Sequence, residues 1–260
     1  MKGLDYRLEE FLPAAGKSVV LVDTSAGLSL GVLPGLEDFE KTVRPILPMV
    51  EGVVCSPGQL RRLENRTRRD AALLVRMDWT NMLRGGQFPL PPEKGTYLTL
   101  LEAGDALELG ATGMVLSFLL GYEEAVEAAC LKAAVQLALA GKDLGLPLLV
   151  EVCPGGPRVS LPGKAVELGA SYALESGADV VVIPQPGPDS LKTIASMLSV
   201  PWLLKPSSVE SAETEWQAAL GQGAAGLWLD HTWLAPGRPL AELTDRVHKT
   251  SDQKPDGPHA

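Results

Sequence analysis

The segment Gly177-Ala178-Asp179-Val180-Val181-Val182-Ile183-Pro184-Gln185-Pro186 decides the fold. Four consecutive β-branched apolar residues follow a Gly-Ala-Asp turn and run into a proline-rich stop. A strand with one wet face alternates apolar and polar residues; this one does not, so it reads as a strand buried on both faces of a parallel sheet. Parallel neighbours require a crossover, usually a helix. The flanking sequence supplies one on each side, at 164–176 and 189–198, with apolar residues at helical spacing.

Working outward, the same unit recurs. Apolar runs at 18–23, 52–56, 72–78, 112–118, 147–152, 179–183, 201–205 and 226–229 give eight expected strands. Helical patterns at 37–47, 57–68, 97–109, 122–142, 164–176, 189–198, 211–221 and 239–247 separate and follow them. Gly110, Gly145, Gly177 and Gly223 stand near helix ends, where a left-handed residue stops a helix at low cost. Eight β–α units over about 230 residues fit a closed α/β barrel, a single (β/α)8 TIM barrel, better than an open sheet. A short helix over 4–12 is expected to cap the N-terminal mouth. No GxGxxG follows the first run, which argues against a dinucleotide fold. The barrel is expected to occupy residues 1–249. The Pro-, Asp- and Lys-rich tail 250–260 reads as disordered.

The 260 residues carry 23 Lys and Arg against 32 Asp and Glu, a net charge of −9. That balance argues against nucleic acid and anionic membrane surfaces as partners. No apolar window approaches the ~18 residues of a membrane span. Cys55, Cys130 and Cys153 show no metal spacing, and with no leader pattern they read as reduced thiols of a cytoplasmic protein. Neither a metal nor a cofactor is expected.

In a barrel of this kind the chemistry lies at the C-terminal ends of the strands. Those ends carry Asp23, Asp78, Glu151, Lys205, Asp230 and His231, so four carboxylates, one amine and one imidazole converge on one mouth. Lys205, Asp23, Glu151, Asp230 and His231 are the expected catalytic residues. Asp78, Cys153, Arg158, Gln185 and Ser207 are the expected substrate contacts. For each carboxylate, strand capping or a rim salt bridge is the competing reading, and Lys205 could equally pair with Asp230 or Glu151. A lysine in such a mouth can form an iminium with a carbonyl substrate and act as an electron sink. An Asp-His pair can move protons or anchor substrate. The loop 80–95 is longer than a usual βα connection and reads as a lid or a subunit contact.

In their order, Val22-Asp23-Thr24, Leu148-Leu149-Val150-Glu151, Glu167-Leu168-Gly169 through Gly177-Ala178-Asp179, Val200-Pro201-Trp202-Leu203-Leu204 and Gly223-Ala224-Ala225-Gly226-Leu227 resemble the class I, Schiff-base aldolases. That family includes the archaeal-type fructose-bisphosphate, tagatose-bisphosphate and sulfofructose-phosphate aldolases. The resemblance covers about Val19 to Trp233. It implies a carbon–carbon lyase acting on a small carbonyl or sugar-like substrate, in a possible homo-oligomer. It also implies site roles for Asp23 and Glu151. The family's Schiff-base lysine falls on Val182, or less well on Pro184. Its glycine-rich phosphate turn after the seventh strand is replaced by Lys205-Pro206-Ser207-Ser208, and its Gly-Arg pair after the eighth by Asp230-His231. Proline removes an N–H donor and an aspartate repels phosphate, so the usual phosphate seat looks unavailable. The expected activity is therefore an aldolase-like lyase that does not use that seat. The alternatives are an inactive aldolase-like barrel that binds a small metabolite, and an acid–base or metal-assisted enzyme built on the carboxylates and His231.

Overall fold

The computed structural model describes residues 2–12, 17–63, 71–85 and 87–251. Eight strands close a parallel barrel: β1 (Val19–Asp23), β2 (Gly52–Cys55), β3 (Ala72–Arg76), β6 (Gly113–Leu119), β7 (Leu148–Cys153), β8 (Val180–Pro184), β9 (Trp202–Lys205) and β10 (Gly226–Asp230), with β10 returning to pair with β1. Each expected apolar run supplies one barrel strand, and every barrel pairing is parallel.

Two cores follow from the two faces of the sheet. Valines, leucines and alanines on the outer face pack under helices α3 (Phe39–Val43), α4 (Pro57–Arg62), α5 (Ala103–Glu108), α6 (Glu124–Leu144), α7 (Pro162–Glu175), α8 (Pro188–Met197), α9 (Ala212–Leu220) and α10 (Leu240–Ser251). The inner face forms a separate cluster of Val19, Leu21, Val54, Leu74, Val115, Leu149, Val180, Val182, Leu203 and Trp228. The N-terminal helix α1 (Lys2–Glu9) leads to Phe11, which is fully buried in this inner cluster, so the segment closes the N-terminal mouth. α6 buries Val126, Cys130, Ala133, Ala134, Leu137 and Gly141 and stops at Gly145, whose φ of 67° suits a left-handed cap. Gly226 allows the close approach of β1 and β10, because a Cβ there would lie 2.1 Å from the Val19 carbonyl oxygen. Among the described residues no helix is long and apolar enough to cross a membrane.

The structure corrects the expected boundaries in three places. The 72–78 run breaks after Arg76, and Asp78–Thr80 forms a separate strand, β4, paired antiparallel with β5 (Tyr97–Thr99). Residues 97–99 are therefore not the start of a helix. Asn81 holds this hairpin, accepting from Thr96 N at 2.8 Å and donating to the Lys94 carbonyl at 2.8 Å. The 37–47 segment divides into α3 and a 3₁₀ turn, Arg44–Met49, that contains two prolines. The four-residue helix α2 (Gly27–Leu30), after β1, was not expected. The end of the 57–68 pattern and tail residues 252–260 lie outside the described residues.

Candidate functional site

Side chains alternate across a strand, so any residue two positions beyond an inner-face residue also points into the barrel. Applied to the inner cluster, this rule places the site. Leu21 is followed by Asp23, Leu74 by Arg76, Val115 by Ser117, Leu149 by Glu151 and then Cys153, Leu203 by Lys205, and Trp228 by Asp230. The C-terminal mouth is thus lined by polar residues from six strands.

Arg76 is the centre of this mouth. Its Nη2 donates to Asp23 Oδ2 at 2.5 Å and to Glu151 Oε2 at 2.9 Å. Nη1 donates to Ser117 Oγ at 2.9 Å and lies 3.9 Å from Asp78 Oδ1, while Nε donates to Ser25 Oγ at 3.1 Å. The guanidinium also stacks over Trp228 at 5.9 Å. Each of its three nitrogens therefore donates to a protein oxygen. Ser25 in turn donates from both N and Oγ to Asp23 Oδ1. Lys205 Nζ donates to Glu151 Oε1 at 2.7 Å, so Glu151 bridges the two cations. The Lys205 side chain keeps 32% of its surface exposed, whereas that of Glu151 keeps 5%.

The electrostatics follow from burial opposed by pairing. Burial alone pushes the Glu151 carboxyl up, but Lys205 and Arg76 together bring it down to about 2. Burial lowers Lys205, and Glu151 outweighs it, holding the amine above the ordinary lysine range. Arg76 is raised in the same way, with desolvation outweighed by Asp23, Glu151 and Asp78. Asp78 differs. Burial pushes it up to about 6 despite Arg76 and the N–H of Ser117, and its Oδ1 has no hydrogen-bond partner among the described residues.

A cavity of about 220 Å³ opens above this network. Its lining includes Asp23, Arg76, Asp78, Glu151, Cys153 and Lys205 from the floor and Asp230 and His231 from the rim. All five residues expected to be catalytic thus border one space. Among the described residues no group of three His, Cys, Asp or Glu side chains is arranged to hold a metal ion.

No protein-family model matches the chain. It is 26% identical over 254 residues to the 3-hydroxy-5-phosphonooxypentane-2,4-dione thiolase of Escherichia coli, spanning 93% of this chain and 80% of that protein. It is 25% identical over 236 residues to the 2-amino-3,7-dideoxy-D-threo-hept-6-ulosonate synthase of Halobacterium salinarum, spanning 87% and 85%. Among solved structures, a Schiff-base-forming fructose-1,6-bisphosphate aldolase superposes with a TM-score of 0.75 at 20% identity, over 95% of this chain and 99% of its own. The fructose-bisphosphate aldolase of Slackia heliotrinireducens also reaches 0.75, at 15% identity, over 100% and 92%. The chain is thus similar in sequence to these two enzymes and shares the barrel fold of these aldolases.

Against that family the amine position is informative. Val182, the position at which the resemblance implies the family's lysine (Pro184 being the less good match), is fully buried in the inner cluster and pairs in register with Glu151. Lys205 lies on the next strand, opposite Pro184 and one inner-facing layer nearer the mouth. At the turn after β9, Ser207 N donates to Glu215 Oε2 at 2.8 Å. Asp230 Oδ1 accepts from Thr232 N at 3.0 Å and from its hydroxyl at 2.5 Å, so Asp230 caps the 3₁₀ turn His231–Leu234.

Three expected substrate contacts lie elsewhere. Arg158 borders a separate surface cavity beside α7, where it donates to the Tyr122 carbonyl and faces Glu124. Ser207 is exposed and turned toward Glu215, and Gln185 lies beyond the cavity lining. Cys153 borders the cavity, but burial and the Glu151 charge push its thiol well above the ordinary range, which disfavours a thiolate. The cysteines are free. Sequence reasoning put Arg76, Ser25 and Ser117 at strand ends but gave them no role in the site. The signal for Arg76 was an arginine ending an otherwise apolar strand on the inner-face register, a position arginine occupies only when paired.

Proposed function

We propose that the barrel mouth performs aldolase-type carbon–carbon bond cleavage on a small carbonyl compound, with Lys205 as the amine. The observation that carries this reading is the placement of Lys205 Nζ at an open cavity, 2.7 Å from a buried carboxylate. In the resting site Glu151 keeps the amine protonated. A carbonyl group entering between them removes that partner, and burial then lowers the amine's proton affinity, so the proton passes to solvent. The free amine adds to the carbonyl carbon, and loss of water gives an iminium. A hydroxyl β to the iminium gives its proton to Asp78, whose value of about 6 suits a base near neutral pH. The Cα–Cβ bond breaks, its electron pair moves into the iminium, and an aldehyde leaves. Protonation of the enamine carbon and hydrolysis by water restore Lys205.

The E. coli relative's named substrate carries a phosphonooxy group. In this chain the Ser207 and Thr232 N–H groups already donate to the carboxylates of Glu215 and Asp230. We therefore assign a substrate held without a phosphate at that turn. Borohydride trapping with aldehydes and ketones tests the amine: the parent should gain reduced adducts at Lys205, and Lys205→Ala should gain none. Equal labelling of the two proteins would end the proposal.

The ion pair itself favours a second reading, a non-catalytic barrel that binds a small metabolite without covalent chemistry. Saturable binding with no trapping would select it. The Asp230–His231 acid–base alternative draws on the buried Nδ1 of His231, which has no partner among the described residues.

A further inference from the structure

The cavity has two unlike ends. Its floor holds Arg76 and Lys205 against Asp23, Glu151 and Asp78, so carboxylates outnumber cations, and both cations are engaged by them. An anionic substrate would meet net repulsion there and no unpaired cation. Its roof is apolar, formed by Leu28 and Leu30 of α2 and Leu83 of the segment after β4.

That roof is fastened rather than loosely hung. Trp79 Nε1 donates to the Leu28 carbonyl at 3.1 Å, and Arg84 Nε donates to the Ser29 carbonyl at 2.9 Å. The Arg84 guanidinium stacks over Trp79 at 5.5 Å and Phe88 at 4.9 Å. Arg84 is thus spent on holding the roof and is not offered to a ligand. Three leucines are held over a charged floor although Leu28 and Leu83 remain 36% and 47% exposed. An apolar surface in a cleft with convergent polar groups is the usual pattern of a small-ligand site.

We propose that the substrate is an uncharged carbonyl compound bearing a short apolar group, its carbonyl at Lys205 and its apolar group beneath Leu28, Leu30 and Leu83. This assignment rests on the carbonyl chemistry proposed for Lys205. The cavity is on the order of seven water volumes, which suits a compound of roughly six to ten non-hydrogen atoms.

The test uses the full chain and two readouts. In borohydride trapping followed by intact mass, hexan-2-one should label Lys205 about ten-fold or more faster than dihydroxyacetone phosphate or pyruvate, the worth of two buried methylenes. Leu83→Asp should lose most of that preference. In thermal shift, hexan-2-ol, which has no carbonyl, should raise the melting temperature more than glycerol phosphate, and Leu83→Asp should abolish the difference. Faster labelling or a larger thermal shift with the phosphorylated compounds overturns the proposal, as does a Leu83→Asp protein with unchanged preference. If no carbonyl compound labels Lys205 but the alcohol still binds through Leu83, the amine chemistry fails and the apolar seat stands.

Discussion

Replacing Arg76 with Met removes the cation that joins three strand ends while keeping the length of the side chain. Two effects set the cost. The first is the pairing that keeps Glu151 at about 2 instead of its ordinary 4.5. At about 1.4 kcal/mol per pKa unit that is roughly 3 kcal/mol, shared between Arg76 and Lys205. The second is the charge left behind. Asp23 and Glu151, both nearly buried, would have Lys205 as their remaining strong partner. One carboxyl must then fold in its neutral form, and holding a group of ordinary value near 4 neutral at pH 7 costs roughly 4 kcal/mol. The two overlap, so the expected loss is about 3–5 kcal/mol, the range found when one partner of a buried pair is removed. In the parent, Glu151 has a depressed folded value, so its contribution is present above about 4.5 and lost as the pH falls toward 2. In the variant the orphaned carboxyl has a raised value, so its penalty is present at pH 7.5 and fades as the pH falls through the unfolded value near 4. Urea unfolding at pH 7.5 and pH 4.5 should show a deficit that shrinks by more than half at the lower pH. A deficit below about 1 kcal/mol at pH 7.5, or one equal at both values, would refute the assignment of Arg76 as the keystone of a charged network.

Asp78→Asn removes a buried charge that the fold disfavours. Because the folded value, about 6, lies above the unfolded one, stability is lost as the pH rises from 4 to 6, and the amide should be more stable than the parent by about 3 kcal/mol at pH 7.5 and equal to it near pH 4. If Asp78 is also the base, the acidic limb of the pH–rate profile near 6 disappears in this variant; a limb that persists assigns the proton to another group. Gly226→Ala forces a methyl against the Val19 carbonyl across the β1–β10 seam, and chemical denaturation should show a loss of about 2 kcal/mol or more. A neutral result would mean that β1 and β10 can separate without cost.

The barrel was legible because each strand is covered on both faces and so reads as a continuous apolar run, with helices at matching intervals. The β4–β5 hairpin was not. Tyr97-Leu98-Thr99 is three residues long, and it is held through Asn81 and Thr80 contacts to residues 94–96 rather than by local pattern. The five residues expected to be catalytic were legible as members of the mouth for a similar reason, because strand ends are fixed by the runs, whereas the role of Arg76 was not. Their connections were not, because which carboxylate meets which cation depends on how far each side chain reaches across the barrel. Arg158 shows the limit. Arg158 was expected to contact substrate, yet Gly156 packs so closely on Gly121 that the loop after β7 turns Arg158 toward Tyr122.

Arg76 also supplies a physical reason for the position of the amine. Val182 lies level with Glu151 on the neighbouring strand, in the layer spanned by the Arg76–Glu151 bond. A lysine at 182 would bring a second cation beside the guanidinium, deep in an interior where like charges repel strongly. Val182 meets no such penalty, because it packs with Leu203 and Trp228 in the inner cluster. Lys205 is one layer higher, where it takes the opposite oxygen of the same Glu151 carboxylate and keeps a third of its side chain exposed. A guanidinium in the floor and an amine at the sixth strand therefore compete for one carboxylate. With Arg76 in place, Lys205 reaches the Glu151 carboxylate from one layer nearer the mouth.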